Sequence, residues 1–165
     1  MTETEGGGMD DASVESSEAV DLMRSARAAR EQAHAPYSGF AVGAALLDGE
    51  GRIHVGANVE NASYGLTICA ERAAVFRAIA EGSRSFLAIA IAGPDEAVPC
   101  FPCGACRQVL HEFAPGMLIL VDDPSGVPAT WSLDRLLPQA FGSARLVEPS
   151  SSPSPGKPAS TSEIP

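Results

Sequence analysis

Three of the four cysteines are spaced in a way that few folds can use together. Cys103 and Cys106 stand one helical turn apart in Pro102-Cys103-Gly104-Ala105-Cys106, and Cys69 lies far upstream, at the start of another helix-forming stretch. Cys100, Cys103 and Cys106 crowd into seven residues, too close for a sensible disulfide framework. The acidic start Thr2-Glu3-Thr4-Glu5 lacks the basic and apolar regions of a secretory signal, and no run of 18 apolar residues occurs, so a cytoplasmic, reducing setting with no membrane partner is expected. Metal is then the leading use of the thiols. Zinc favours tetrahedral sulfur and nitrogen ligands, and a catalytic zinc keeps three protein ligands and an open fourth position. If Cys103 opens a helix, both of its sulfurs lie near the positive helix end, which favours the ionised form that binds metal.

The segments around these residues alternate in type. Ala19, Leu22, Met23, Ala26 and Ala29 follow a helical period from about Glu15 to Gln32, ending before Pro36. Phe40 to Leu47 and Arg52 to Asn58 read as a hairpin joined by Asp48-Gly49-Glu50-Gly51. A helix over Cys69 to Glu81 is expected, capped by Thr67 and closed by Gly82. Ser85 to Ala92 reads as a buried strand, Gly104 to Phe113 as a helix, Met117 to Val121 as a strand and Leu133 to Leu137 as a short amphipathic segment. The order α-β-β-α-β-α-β-α implies an α/β fold, a sheet with helices packed on its faces.

Cys69-Ala70-Glu71 followed by Pro102-Cys103-x-x-Cys106, with a strand between, resembles the ligand pattern of zinc deaminases, in which a non-ligating Glu serves as acid and base. The resemblance is to the small cytidine deaminases and extends through Ala35-Pro36-Tyr37-Ser38-Gly39-Phe40-Ala41-Val42-Gly43-Ala44-Ala45-Leu46, Asn58-Val59-Glu60-Asn61-Ala62-Ser63-Tyr64 and Cys103-Gly104-Ala105-Cys106-Arg107-Gln108-Val109-Leu110. It covers roughly residues 20 to 145. It implies the three-layer α/β/α deaminase fold with a mixed sheet of about five strands, a homotetramer, a Zn²⁺ cofactor, and a small nucleoside as substrate. Carried across by position, Cys69, Cys103 and Cys106 are the metal ligands and Glu71 the catalytic residue. Asn58 and Glu60 hold the ribose 3′-hydroxyl, Phe40 flanks the base, and Ala70 also touches substrate. Ala62, Tyr64 and Phe141 resemble residues that complete a neighbouring subunit's pocket.

Three thiolates leave Zn²⁺ with a formal excess of one negative charge, weakening it as a Lewis acid. Arg72 and Arg107, adjacent in sequence to ligands, can offset that charge by hydrogen bonding to sulfur, and the resemblance associates Arg72 with this role. A fourth thiolate would close the site to water, so Cys100 is read as a non-ligand. His34, His54 and His111 have no ligand spacing and are read as surface or loop residues.

The formal charge of −10 is uneven: residues 1–21 hold seven acids and no base, whereas 22–147 hold twelve acids against ten arginines. The domain is therefore near neutral and lacks the basic stripe of a nucleic-acid binder. An acidic tail over 1–14, a single domain over 15–147 and a Ser/Pro-rich tail over 148–165, both tails disordered, are the expected organisation. Two competing enzymes are a deaminase of another amino-pyrimidine, which Asn58 and Glu60 argue against, and a polynucleotide deaminase, which the charge disfavours. A module with zinc closed by all four cysteines is the rival from outside enzymology.

Overall fold

The computed structural model describes residues 16–142 and Leu146; the expected tails lie outside the described residues. The elements are α1 (Ser16–Arg30), β1 (Gly43–Asp48), β2 (Ile53–Ala57), α2 (Ala70–Ala80), β3 (Phe86–Ala92), α3 (Gly104–Phe113), β4 (Leu118–Val121), β5 (Ala129–Ser132) and α4 (Leu133–Leu136), with a 3-10 turn at Tyr64–Leu66. The strands form one mixed sheet in the order β2-β1-β3-β4-β5. Only the β3–β4 pair is parallel.

Strand alternation divides the core between the two faces of this sheet. Ile89 and Ile91 join Ala44, Leu46, Ile119 and Val121 beneath α2 and α3. Ala88, Ala90 and Ala92 join Ala45, Leu47 and Leu120 on the other face, where Leu22, Met23 and Ala26 of α1 cover them. The result is the expected three-layer α/β/α arrangement.

Two glycines let the helices approach the sheet. A Cβ on Gly43 of β1 would lie 2.1 Å from the Ala26 carbonyl oxygen of α1, and one on Gly56 of β2 would lie 2.4 Å from the Ala74 nitrogen of α2. Both neighbours are helix backbone, which cannot rotate aside. The position of α2, and of the residues at its N-terminus, therefore depends on a bare backbone at Gly56.

Several elements differ from the sequence expectation. β1 begins at Gly43, not Phe40, because the Asn58 side chain takes over the ladder's role: its Oδ1 accepts the Val42 N–H at 2.9 Å and its Nδ2 donates to the Phe40 carbonyl at 2.9 Å. The N-cap of α2 is Cys69, not Thr67, whose hydroxyl accepts the Asn61 N–H at 3.2 Å. Gly82 does close α2, with φ of +94°. The fifth strand of the expected sheet, whose place the sequence pattern leaves open, is β5, which pairs with β4 along Leu118–Val121.

His54 is neither a surface nor a loop residue. It lies on β2, 2% exposed, with Nδ1 2.7 Å from Glu81 and Nε2 2.9 Å from Asp48. Burial opposes ionisation of Asp48, but hydrogen bonds from His54, Ser83 and Arg52 outweigh it and hold the carboxyl well below its usual range. This network ties the hairpin to the end of α2.

Gly56→Ala is expected to destabilise the fold by about 1–3 kcal/mol, the usual cost of overpacking. Gly116→Ala, where an added Cβ meets nothing within 4 Å, should stay within about 0.5 kcal/mol. Urea unfolding midpoints at unchanged slope measure both.

Candidate metal centre and active site

Two helix N-termini meet at the cysteines. Cys69 is the N-cap of α2 and Cys103 the N-cap of α3, each in extended backbone conformation (φ −72°, ψ 155° and φ −66°, ψ 167°). Cys106 lies in the first turn of α3 and is buried. Each helix thus directs its unpaired N–H groups and positive dipole end toward the sulfurs. The three Sγ atoms lie within 4.8 Å of one another. Cys69 is 3.9 Å from Cys103, and Cys103 is 3.5 Å from Cys106.

This donor set fits zinc. Four ligands arranged tetrahedrally at a Zn–S distance of ~2.3 Å place sulfurs about 3.8 Å apart, close to both measured spacings. The acid–base behaviour of the thiols agrees. The neighbouring Cys106 thiol, with help from Arg72 and Cys103, draws the Cys69 thiol below its usual range despite burial. Cys106 is pushed up in turn by the nearby Cys69 and by its own burial. One thiolate forms readily and opposes a second, a conflict that a divalent cation removes.

Arg72 directs Nη2 to Cys69 Sγ at 3.7 Å and to the Thr67 carbonyl at 3.1 Å. Its guanidinium is held charged chiefly by the sulfur contact. Arg107 does not share this role: Nε donates to the Pro102 carbonyl and Nη1 to the Leu136 carbonyl, both at 2.7 Å. It braces the ligand loop against α4 instead of touching sulfur.

Glu71, the second residue of α2, is 4% exposed. Burial raises its carboxyl above the ordinary range, and the neighbouring Cys69 charge adds to the effect. Cys100 stands apart from the sulfur cluster; burial lifts its thiol to about 11.

A cleft of about 230 Å³ opens beside the thiols and brings together Phe40, Asn58, Glu60, Ala70 and Glu71 with Cys69 and Cys103. Glu60 is fixed by the backbone N–H groups of Tyr37 and Ser38, at 2.8 and 3.2 Å, and by the Ser38 hydroxyl. The Ser38 bond leads the causes that lower its pKa. Ala62, Tyr64 and Phe141 do not line this cleft; all three are exposed, Tyr64 by 73% and Phe141 by 57%. Ser38, Thr67 and Phe101 also line it, though the sequence reading gives none of them a place in the site. Ser38 was legible as the residue two before Phe40 in a Pro-Tyr-Ser-Gly turn, and Phe101 as an aromatic just before the Pro-Cys pair.

Convergent thiols at two helix N-termini, with a buried carboxylic acid in the first turn of α2, form a donor set that could hold a metal ion beside an acid–base group. Comparison with known proteins gives the family. Residues 16–121 match the family model described as the cytidine and deoxycytidylate deaminase zinc-binding region, and the chain belongs to this family. It is 49% identical over 121 residues to a cytidine deaminase of Halalkalibacterium halodurans, covering 73% of this chain and 91% of the relative. Against a cytidine deaminase of Sporosarcina psychrophila it is 46% identical over 126 residues, covering 76% and 92%. Among solved structures, a cytidine deaminase from Burkholderia pseudomallei is similar with a TM-score of 0.69 and 49% identity, covering 73% of this chain and 97% of that one.

Arg72→Gln is expected to weaken zinc retention by about 10–100-fold, the range for lost outer-sphere hydrogen bonds, as read by competition with a chromophoric chelator. Cys100→Ser should keep one zinc per chain in the same titration. Loss of metal on that change would instead mark Cys100 as a ligand.

Proposed function

We propose that the protein is a zinc-dependent cytidine deaminase that hydrolyses cytidine and deoxycytidine to uridine and deoxyuridine with release of ammonia, a step of pyrimidine salvage in the cytoplasm. The observation that carries this reading is that the buried Glu71, whose carboxyl burial raises above its ordinary range, shares one cleft with Cys69 and Cys103, the thiols that converge with Cys106.

Cys69, Cys103 and Cys106 would hold the zinc, which when bound supplies Lewis acidity that brings the pKa of a coordinated water toward ~7. The protein's own contribution is proton transfer and positioning. Glu71 takes a proton from the attacking water and gives it to N3 of the base as the oxygen adds to C4. When the C4–N4 bond breaks, Glu71 carries the second proton from the new C4 hydroxyl to the departing nitrogen, which leaves as ammonia. A carboxyl that is base and then acid works best with a pKa near the operating pH, and burial moves Glu71 in that direction. Phe40 flanks the base, and Ala70, first residue of α2, offers a backbone N–H with no partner inside the helix. Asn58 and Glu60 grip the sugar 3′-hydroxyl; each is already braced by backbone on one side, and each keeps hydrogen-bonding capacity on the other.

The working form is a homotetramer, in which the exposed Ala62, Tyr64 and Phe141 complete a neighbouring subunit's pocket. Exposed aromatics beside an open cleft support this reading, since a single chain leaves the Tyr37–Tyr64 pair, with ring centroids 5.9 Å apart, facing solvent.

The fall in absorbance as cytidine becomes uridine tests the activity: turnover should disappear with chelator and return with zinc. Glu71→Ala should lower kcat by about 10²–10⁴-fold or more, and full turnover in that variant would remove Glu71 from the mechanism. For the assembly, co-refolding Glu71→Ala chains with Phe141→Ala chains should yield more activity than either alone. Additive activity would place Phe141 outside a shared site.

A further inference from the structure

The loop from Tyr37 to Val42 has little structure of its own and is hung on two side chains. Asn58 holds its far end through Phe40 and Val42, and Glu60 holds its near end through Tyr37 and Ser38. Ser38 is the one residue that links these supports. Its Oγ accepts the Phe40 N–H at 2.9 Å and donates to Glu60 Oε1, giving an unbroken chain from the Phe40 backbone through one hydroxyl to the carboxylate. Such donor–acceptor chains polarise each bond in them.

The two carboxylate oxygens of Glu60 are not equivalent. Oε2 already accepts from two backbone N–H groups, whereas Oε1 has only the Ser38 hydroxyl and keeps a lone pair toward the cleft, which Ser38, Phe40 and Glu60 line together. The backbone bonds hold Oε2, and because the carboxylate is rigid the Ser38 bond to Oε1 completes the restraint on its rotation, a terminal torsion that is otherwise broad and soft.

We propose that Ser38 is a positioning residue that sets sugar specificity: its hydroxyl fixes Glu60 Oε1 to receive the 3′-hydroxyl of the nucleoside and, through the Phe40 N–H, couples that grip to the ring flanking the base. This rests on the reading of Glu60 as a sugar contact. Removing the hydroxyl leaves Glu60 charged and in place but no longer aimed. It also frees the Phe40 N–H, so discrimination for the 3′-hydroxyl falls more than binding of the base.

The test compares kcat/KM for cytidine and 3′-deoxycytidine in the zinc-loaded wild type, Ser38→Ala and Ser38→Thr. Wild type should favour cytidine by roughly tenfold or more, as a site built to hydrogen-bond a hydroxyl does. A wild-type ratio near one would refute the sugar-contact reading itself before any variant is considered. Given discrimination in wild type, Ser38→Ala should cut the ratio about fivefold or more through the KM for cytidine, and Ser38→Thr, which keeps the hydroxyl, should restore it. Ser38→Ala slowing both substrates equally, with the ratio intact, would show Ser38 to be a turn residue only and overturn the proposal. Zinc content and circular dichroism of each variant separate these outcomes from misfolding.

Discussion

Three thiols within 4.8 Å of one another bring like charges side by side once they ionise, and much of the structure follows from the need to support them. Like charges at this distance repel strongly in a partly buried setting. The fold answers with two helix N-termini directed at one point, so that Cys69 and Cys103 both occupy N-cap positions. Dipole ends of this kind favour thiolate but do not neutralise three of them. The opposite displacements of Cys69 and Cys106 express the remaining conflict, which a bound dication relieves.

Holding the two N-termini together is the work of the sheet. α2 rests against β2 and β1, and Gly56 sets how closely it lies. α3 follows β3 and returns the chain to β4, its parallel neighbour, so the Cys103–Cys106 turn emerges beyond the carboxyl end of β3. Arg107 then ties the ligand loop to α4 by way of the Leu136 carbonyl. At the opposite end of the hairpin, His54 bridges Asp48 and Glu81 and anchors the C-terminus of α2. The helix is therefore fixed at both ends, one by charged side chains and one by its contacts at the metal centre.

What the sequence revealed, and what it hid, follows from how local each signal is. The Cys103–Cys106 pair is legible because spacing along a helix is a local property, and the bounds of α3 are legible for the same reason. The place of β5 is not: Ala129-Thr130-Trp131-Ser132 is too short for its alternation to mark a strand, and pairing with β4 makes it one. The buried state of His54 depends on Glu81, 27 positions away, and the true partner of Arg107 lies 29 positions away at Leu136. The sequence pattern carries no sign of the Asn58 side-chain bonds to the backbone at Phe40 and Val42, because they replace a strand ladder that the apolar run there suggests.

Arg72 connects the thiol cluster to the buried Glu71 carboxyl. It lies one residue beyond Glu71 and one helical turn from Cys69, so a single guanidinium acts on both. Toward Cys69 it stabilises negative charge; toward Glu71 it pulls the pKa down, against burial and the Cys69 charge, which push it up. Burial is the largest influence on the Glu71 carboxyl, opposed first by its backbone hydrogen bond, then by the Cys106 contact and by the Arg72 charge. Charge at the sulfurs and ionisation of Glu71 are thus one electrostatic problem, and the Cys69-Ala70-Glu71-Arg72 run places Cys69, Glu71 and Arg72 within a single turn of α2 and its cap.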